Sequence, residues 1–467
     1  MAEAKQKKDL YVVHFAIGIA ITALFWILPP IEPITAVGMR CAGIFLGMIY
    51  LWSTVDTLWP SILGLSLLGF SGYAAGGFNE VWGSAVGNFT VLLILFAMIL
   101  FGGMHEAGVT KYIARWFLTR EIFKGRPYVF IMIFYLCAAV LSAIVTPITS
   151  LIILWPIGLR VMGTLGITKD DRIWHWFFIG LFLVSTLIQP LIPFMGAQLV
   201  VLSAFEGMSQ LNVPVGKYMA VNILITILVM ACYLMAIKLL KVDTSKLQMI
   251  DPDRIRATII LPRMDLVQKA YVIATLVFFA GVLVSPSPLI PAALLVTILC
   301  IVKVEGKPVL DFKEMAYRQM NWGIFFMIAA AVYSANTLTN ANTGITAFLM
   351  QTLNPILGGL GEFGFVAAML TLALVLTNIG NNAGMAVVLM PVILGFSAQL
   401  GLNPVPIAMA VALLVFAAMA TPAASPHAGM MFGRKDIYDA GTIVKISVPF
   451  LIVALLLYIF IGYPLLK

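Results

Sequence analysis

Apolar runs of about 20 residues recur from one end of this chain to the other, and they restrict its fold more than any other feature. A run of that length forms a helix that crosses the roughly 30 Å hydrocarbon core of a bilayer. Charged residues make up only 10% of the 467 residues, against about 25% in soluble domains. Because lipid offers no partner to unpaired backbone groups, such runs must be helical. The sequence therefore predicts an all-α polytopic membrane protein.

Eleven segments are expected to cross the membrane as full spans. They lie at about 10–29, 34–53, 57–73, 89–104, 173–207, 217–240, 268–284, 287–303, 320–337, 403–437 and 442–464. Two further apolar blocks, 127–163 and 362–400, are too long for one span, and polar or helix-breaking residues interrupt each near its middle. We expect each block to be a re-entrant hairpin, in which two helical arms meet at a tip inside the membrane.

The distribution of Lys and Arg favours this arrangement. Basic residues are concentrated in segments 111–126, 160–172 and 241–269, whereas 338–402 contains no Lys or Arg. Cytoplasmic loops carry the excess of basic residues, and this pattern holds only if each hairpin returns to the side from which it entered. We therefore expect a multi-pass protein of the cell membrane with a cytoplasmic N-terminus. The net charge of +8 is then explained by basic loops that set the orientation in the membrane. No nucleic-acid partner is expected.

The order of elements repeats within the chain. Two units, at about 34–240 and 268–464, each contain three spans, a hairpin and two more spans, and their odd number of crossings predicts that they are inverted. The expected parts are an N-terminal helix (1–33), a scaffold (34–126 and 268–361), a transport part (127–240 and 362–467) and a cytoplasmic linker (241–267). Inverted repeats with paired broken helices are typical of secondary transporters that bind substrate near the midplane.

Four interruptions of the apolar pattern carry the polar residues. The hairpin tips read "VTPITS" and "TNIGNNAG", and the later breaks read "QPLIPFMGAQ" (189–198) and "ATPAASPHAG" (420–429). Irregular backbone at membrane depth is tolerated only where protein or a polar cavity satisfies it, so we expect the four to share a cavity. Thr146 before Pro147, Ser425 before Pro426, and Asn381 or Asn382 each predict a capped helix start. Four such N-termini, each with about half a positive charge, would suit a dianion.

The candidate substrate-binding residues all lie at these interruptions. They are Thr146, Pro147, Thr149, Ser150, Gly196, Ala197, Gln198, Asn378, Asn381, Asn382, Thr421, Pro422, Ser425 and His427. The hydroxyls of Thr149 and Ser150 also suit bonds within their own helix, and His427 suits either a satisfied polar residue or a ligand contact. Neither an HExxH motif nor a CxxC pair occurs, so no enzyme activity, metal site or cofactor is expected. A channel is an alternative class of function, and the repeated hairpins argue against it.

The two tips and the Thr421–Pro422 break resemble the divalent anion/sodium symporter family over essentially the whole chain. Members of that family carry a Ser-Asn-Thr motif at each tip, which binds a substrate carboxylate and helps to form sodium sites. Alignment on Pro156 and Pro391 sets those motifs against Thr146-Pro147-Ile148 and Asn381-Asn382-Ala383. Only Asn382 matches. The departure from the motif points to the exchanger branch of the family.

The resemblance implies an elevator mechanism and a homodimer held by the scaffold. It also implies small dicarboxylate substrates such as 2-oxoglutarate, malate and succinate, or a tricarboxylate such as citrate. The expected function is a sodium-independent exchange of C4–C5 dicarboxylates. The alternative is a sodium-coupled symporter that keeps cation sites with altered ligands. Apart from substrate, the expected partners are membrane lipid and a second copy of the chain.

Overall fold

The computed structural model describes residues 2–285, 287–422 and 424–467, and it is all-helical apart from one short turn of two paired strands. Ten of its helices are long and apolar enough to cross a membrane, or eleven when a bent pair is counted as one span. The predicted class, an all-α polytopic membrane protein, is therefore confirmed. The inverted relation of the two halves stays a prediction.

Eleven helices precede the linker. They are α1 (Ala2–Ile27), α2 (Ala36–Thr54), α3 (Leu58–Phe70), α4 (Gly77–Val86), α5 (Phe89–Glu106), α6 (Val109–Leu118), α7 (Pro127–Ile144), α8 (Pro147–Thr164), α9 (Arg172–Ile188), α10 (Gly196–Ser209) and α11 (Val215–Leu239). Short 3₁₀ turns at Glu121–Phe123 and Gln189–Leu191 follow α6 and α9. The linker contains a 3₁₀ turn at Ser245–Met249 and α12 (Pro252–Thr258).

The second half follows the same order. Its elements are α13 (Leu266–Val284), α14 (Leu289–Ile301), β1 (Lys303–Val304), β2 (Lys307–Pro308), α15 (Phe312–Arg318), α16 (Trp322–Thr339), α17 (Ile345–Leu357), α18 (Glu362–Thr377), α19 (Asn382–Leu400), α20 (Pro404–Leu414), α21 (Pro426–Gly433), α22 (Ala440–Leu457), a π-helical turn (Tyr458–Gly462) and α23 (Tyr463–Leu466). Position by position, α7 and α8 correspond to α18 and α19, and the pair α9–α10 corresponds to α20–α21.

Each predicted hairpin forms as a pair of helices, with turns at 145–146 and 378–381; the position of these turns inside the membrane stays a prediction. The arms α7 and α8 pack on each other, and so do α18 and α19. Each arm has 16 to 19 residues, or roughly 25 Å of helix at 1.5 Å per residue. The second hairpin is entered through a sharp turn, because α17 and α18 are bent by 111°.

Both predicted breaks form, and one of them has different limits. The first covers 189–195, within the expected 189–198. The second was expected at 420–429, but helical structure already ends at Leu414 and resumes only at Pro426. The second break therefore begins five residues early, at residue 415. Side chains of the second hairpin form hydrogen bonds with the backbone groups of residues 415–420, which would otherwise bond within a helix.

The two broken helices form the centre of the protein. Every residue of α20 from Val405 to Leu414 is buried, and 89% of the span that contains α9 is buried. Only 6% of the α1 span is buried. A helix that is apolar and buried all round belongs to a protein interior rather than to a lipid-facing surface. The helices α9 and α20 are thus enclosed by other helices.

The linker is fixed to the rest of the protein by polar contacts. Lys246 Nζ donates to the Asp171 carboxylate at 2.8 Å and to the Gly166 carbonyl at 3.0 Å. The hydrogen bond from Lys246 lowers the pKa of Asp171 below its ordinary value. Both side chains are partly exposed, so the ion pair contributes little stability. It joins the loop before α9 to the loop after α11. We call the end of the molecule where these two loops meet the linker end.

Candidate functional site

Asn378 at the second tip organises the second break. Its side-chain amide nitrogen donates to the carbonyls of Leu374 (2.8 Å) and Ala417 (3.1 Å). Its Oδ1 accepts from the backbone N–H groups of Met419 (3.1 Å) and Ala420 (2.8 Å). These four bonds use the full capacity of an asparagine side chain. In this conformation Asn378 has no donor left for a substrate, and it acts by holding the irregular segment in place.

Two threonines complete this connection between hairpin and break. Thr377 donates its hydroxyl to the Val415 carbonyl, and Thr421 donates to the Asn378 carbonyl at 2.7 Å. Unpaired backbone groups in a membrane interior cost several kcal/mol each, so these bonds allow the helix to stop at residue 414. Thr421 remains half-buried and the neighbouring Pro422 is exposed.

The start of α19 is capped by Asn381, one of the two predicted candidates. Its Oδ1 accepts from the Gly384 N–H at 3.0 Å, and its own N–H donates to Ser53 Oγ at the end of α2 at 3.3 Å. The next residue, Asn382, is 9% exposed. Its side-chain amide has no hydrogen-bond partner within the described residues, and its Oδ1 is buried. The side-chain N–H₂ groups of Asn381 and Asn382 both lack an acceptor within the described residues, and Asn382 is the one whose Oδ1 also lacks a donor.

Ser425 caps α21 as predicted. Its Oγ accepts from the Ala428 N–H at 3.1 Å and donates to the Ala418 carbonyl at 2.9 Å. Pro426 follows at the first helical position, where a missing N–H is tolerated. His427 is 4% exposed and lies against Phe182 of α9, with ring centroids 5.5 Å apart. Its Nε2 has no partner among the described residues.

The first tip has the same cap geometry but a different environment. Thr146 accepts the Thr149 N–H at 3.2 Å, and the two hydroxyls are 3.0 Å apart. Pro147 occupies the first helical position, and Ser150 donates to the Ala138 carbonyl at 3.2 Å, which joins the two arms. Thr146 is exposed and Thr149 half-buried. Their hydroxyls are open to a ligand, whereas that of Ser150 is used within the hairpin.

The first break is stabilised by Gln198. Its amide nitrogen donates to the carbonyls of Ile192 (2.9 Å) and Gln189 (3.3 Å), both freed by the end of α9. Its Oε1 is buried without a partner in the described part of the chain. Gly196 begins α10 with a φ of +62°, a conformation that favours glycine. Ala197 is half-buried beside it. Unlike the other three starts, α10 has no side-chain cap.

The elements that carry these residues are connected, although the two tips are not joined directly. Helix α10 packs along α19 and α20. At the other side, Trp155 of α8 donates to the Tyr438 hydroxyl at 2.9 Å, which ties the first hairpin to the loop after α21. No hydrogen bond joins Thr146 or Thr149 to the second tip within residues 2–285, 287–422 and 424–467.

The packing of the two tips against the rest of the protein is unequal. Helix α10 packs along α16, and α19 contacts α2, α16 and α17. The corresponding helices of the other half, α21 and α8, make no extensive contact with α5 or α13 in the part of the chain described here. The second hairpin therefore packs against more of the surrounding helices than the first does.

Sequence reasoning missed three contributors to the site. Ser53 lies 328 residues from Asn381 in the chain, and nothing in its local sequence connects it with the second tip. Thr377 directly precedes the candidate Asn378, and this position next to a predicted site residue is a sequence signal that identifies it. Phe182, the neighbour of His427, lies in the apolar span α9 and has no distinguishing signal.

Comparison with known proteins gives the family. The sequence model described as "Citrate transporter" matches residues 7–414. The chain belongs to the citrate transporter family. This family is related to the anion transporter group, so the resemblance to anion carriers is confirmed at that level. A member of the citrate transporter family is a secondary transporter and not an enzyme.

Two individual proteins resemble this member of the citrate transporter family, one over part of the chain and the other at low sequence identity. The uncharacterized transporter YfbS of Escherichia coli (strain K12) is 30% identical over 142 residues, which cover 30% of this chain and 23% of that protein. The chain thus spans less than a quarter of that relative's length. The crystal structure of the YdaH transporter of Alcanivorax borkumensis, described as having an unusual topology, covers 84% of this chain and 89% of its own. It shares the fold, with a TM-score of 0.55 at 16% identity.

Proposed function

We propose that this transporter carries di- and tricarboxylate anions, C4–C5 dicarboxylates and citrate among them, and binds them between the two tips and the two breaks. The observation that carries the proposal is the side-chain N–H₂ group of Asn382, which makes no hydrogen bond within the described residues and lies in the first turn of α19, next to its capped start. A helix start offers free N–H groups and about half a positive charge, so it attracts a carboxylate. The amide adds a donor at the same place.

Further groups supply a second binding point for an anion with two carboxylates. The hydroxyls of Thr146 and Thr149 at the start of α8 are accessible, and Thr421 lies at the second break. Ser425 uses its hydroxyl within the protein and Asn381 uses its Oδ1, so both orient helix starts, while the Asn381 N–H₂ group stays free to donate. With α10 and α21, four helix starts would together provide about two positive charges, which match a dianion.

The unequal packing of the tips supports an alternating-access mechanism. Packing of the second hairpin against α2, α16 and α17, without matching contacts for the first hairpin, supports a carrier that is open on one side only. We assign the linker end to the cytoplasm, from the excess of Lys and Arg there, so this state faces inward. In an elevator mechanism the two hairpins and broken helices would move together against α2, α5, α13 and α16, which would form the scaffold of a homodimer in the cell membrane.

The proposal includes exchange rather than sodium symport. The tips hold Pro147 and Ala383 at positions where the resembled sodium-coupled family has side chains with oxygen or amide groups. Ala383 is 1% exposed and brings no polar atom to the tip. The competing hypothesis is a symporter in which backbone carbonyls of the breaks bind sodium. A symporter of this kind would use the same anion site, so tests of substrate choice do not distinguish symport from exchange.

Substrate class is tested by competition in proteoliposomes. Uptake of labelled succinate should saturate, and malate, 2-oxoglutarate and citrate should compete with it. A monocarboxylate such as lactate should not compete, because it can engage only one of the two binding points. Non-saturating flux would instead indicate a channel, and equal competition by lactate would contradict a site built for two carboxylates.

A further inference from the structure

A basic groove lies at the linker end, away from the tips and breaks. One wall is the amphipathic helix α6 with the residues that follow it, and the other is the linker segment 256–264. The groove encloses about 560 Å³. Four arginines line it, Arg115, Arg120, Arg256 and Arg263, and its described lining contains no acidic residue. Such a concentration of guanidinium groups attracts anions.

Two of the arginines build the groove. Arg115 donates to the Leu261 carbonyl at 2.8 Å, and Arg256 donates to the Thr119 carbonyl at 3.2 Å. Each bond crosses from one wall to the other. Arg256 is also paired with Asp253 at 2.6 Å. These contacts fix the distance between α6 and the linker, so the groove is a preformed structure.

The other two arginines are available to a ligand. The Arg120 guanidinium lies over the Trp116 ring, 3.9 Å from its centroid, and only its Nε is bonded, to the Trp116 carbonyl at 2.8 Å. Arg263 is exposed and has no acceptor within the described residues. A guanidinium presents five N–H donors in a fork that matches phosphate oxygens. The groove therefore has free phosphate-binding capacity.

Exposed apolar side chains lie in the groove or within two residues of its lining in the chain. Trp116 (58%), Ile122 (60%), Ile260 (82%) and Leu266 (64%) are all largely exposed. The groove also lies where two spans end, because Gln268 near the start of α13 donates to the Ala107 carbonyl after α5 at 2.9 Å. Tryptophan and amphipathic helices occupy the headgroup depth of a bilayer. These residues place the groove at the membrane surface.

We propose that this groove is a binding site for the phosphate headgroup of an anionic phospholipid, which Arg120 and Arg263 contact directly. The exposed apolar side chains favour a lipid over a soluble anion, because they provide a surface for glycerol and acyl chains that free phosphate would not use. Basic pockets on one face of membrane proteins bind anionic headgroups in this way. A bound headgroup connects α6 to the linker. Helix α6 leads into the first hairpin, and the linker joins the two halves.

The test measures lipid binding to the purified full chain in detergent. Phosphatidylglycerol or phosphatidylcholine is added in mixed micelles, and the midpoint of thermal unfolding is followed as lipid concentration rises. Phosphatidylglycerol should raise the midpoint and phosphatidylcholine should not. The double variant Arg120→Gln/Arg263→Gln should need roughly tenfold more phosphatidylglycerol or worse, as expected for loss of one or more charge-assisted hydrogen bonds.

A matched control removes the same charge elsewhere. Lys303→Gln/Lys307→Gln changes two exposed lysines of the β1–β2 turn and should respond to phosphatidylglycerol like the unaltered protein. If the double arginine variant fails to fold, Arg263→Gln alone serves, since that side chain has no bond to lose. Equal protection by inorganic phosphate would overturn the lipid assignment in favour of a free anion. An equal loss in the lysine control, or no loss in the arginine variants, would overturn the site.

Discussion

Two asparagines four residues apart at the second tip have different roles. Asn378 makes four hydrogen bonds to backbone groups of its own helix and of the second break. Asn382 makes none within the described chain. The N–H₂ group of Asn382 is free to donate to a carboxylate, whereas its buried Oδ1 is an acceptor that only a donor group of a ligand would satisfy. On the proposed function, a single motif would combine one residue that shapes the site with one that contacts the substrate.

The contrast predicts opposite effects of two alanine substitutions. Asn378→Ala leaves the Met419 and Ala420 N–H groups unpaired, at roughly 1–3 kcal/mol each, so the midpoint of thermal unfolding in detergent should fall. Asn382→Ala removes no bond within the protein, so its midpoint should stay near that of the unaltered protein. Its uptake in proteoliposomes should fall about tenfold or more, as expected for a lost charge-assisted hydrogen bond to a carboxylate.

Ser185→Ala is the control for both measurements. The Ser185 hydroxyl is fully buried and donates only to the Leu181 carbonyl one turn back in its own helix. Its removal should change neither uptake nor the midpoint by much. Equal uptake by the Asn382 and Ser185 variants would contradict the role given to Asn382. A stable Asn378 variant would contradict the structural role of that residue.

At the scale of elements, local signals predicted what local residues determine. Thr146–Pro147 and Ser425–Pro426 mark helix starts in any context, and both caps form as expected. The start of the second break could not be predicted in the same way. Residues 415–420 form an apolar sequence that suits a helix, and they leave it because Thr377 and Asn378 of another helix bond their backbone. Contacts between distant segments leave no mark in the sequence of either one.

The contact between the second tip and α2 predicts a disulfide that reports movement. A Cβ built on Gly380 would lie 3.8 Å from Ser53 Cβ, within the roughly 3.5–4.5 Å that disulfides require. The one close neighbour, Met385 Cε at 2.6 Å, is the end of a flexible side chain. Ser53→Cys/Gly380→Cys should therefore form a disulfide on oxidation.

The disulfide should stop transport if the second hairpin slides along α2 during each cycle. Uptake by the oxidised double variant should be lost and should return with a reductant. Each single variant, treated with the same oxidant, controls for the native Cys232 and Cys300, which are partly accessible. Undiminished uptake by the fully crosslinked protein would show that the tip and α2 stay together, which an elevator mechanism does not allow.

At the scale of the whole molecule, the charge that the proposed site offers to a bound anion belongs to the protein. The groups around the tips are helix starts, amides and hydroxyls, and none of these leaves with the substrate. If such fixed partial charges balance a dianion, the empty carrier holds uncompensated positive charge in a region of low dielectric constant, where charge is costly to move. The loaded carrier is nearer to neutral. Movement across the membrane is then much easier with substrate than without it.

This imbalance predicts obligate exchange. Uptake of labelled dicarboxylate should require an unlabelled dicarboxylate inside the vesicles, because only a loaded carrier returns at a useful rate. Replacing external sodium with choline should leave that uptake unchanged, since no bound cation is needed to balance the substrate. The measurement is initial uptake in four conditions, with and without internal substrate and in sodium or choline. Rapid uptake into vesicles without internal substrate, driven by a sodium gradient, would mean that bound cations neutralise the dianion and that the protein is a symporter.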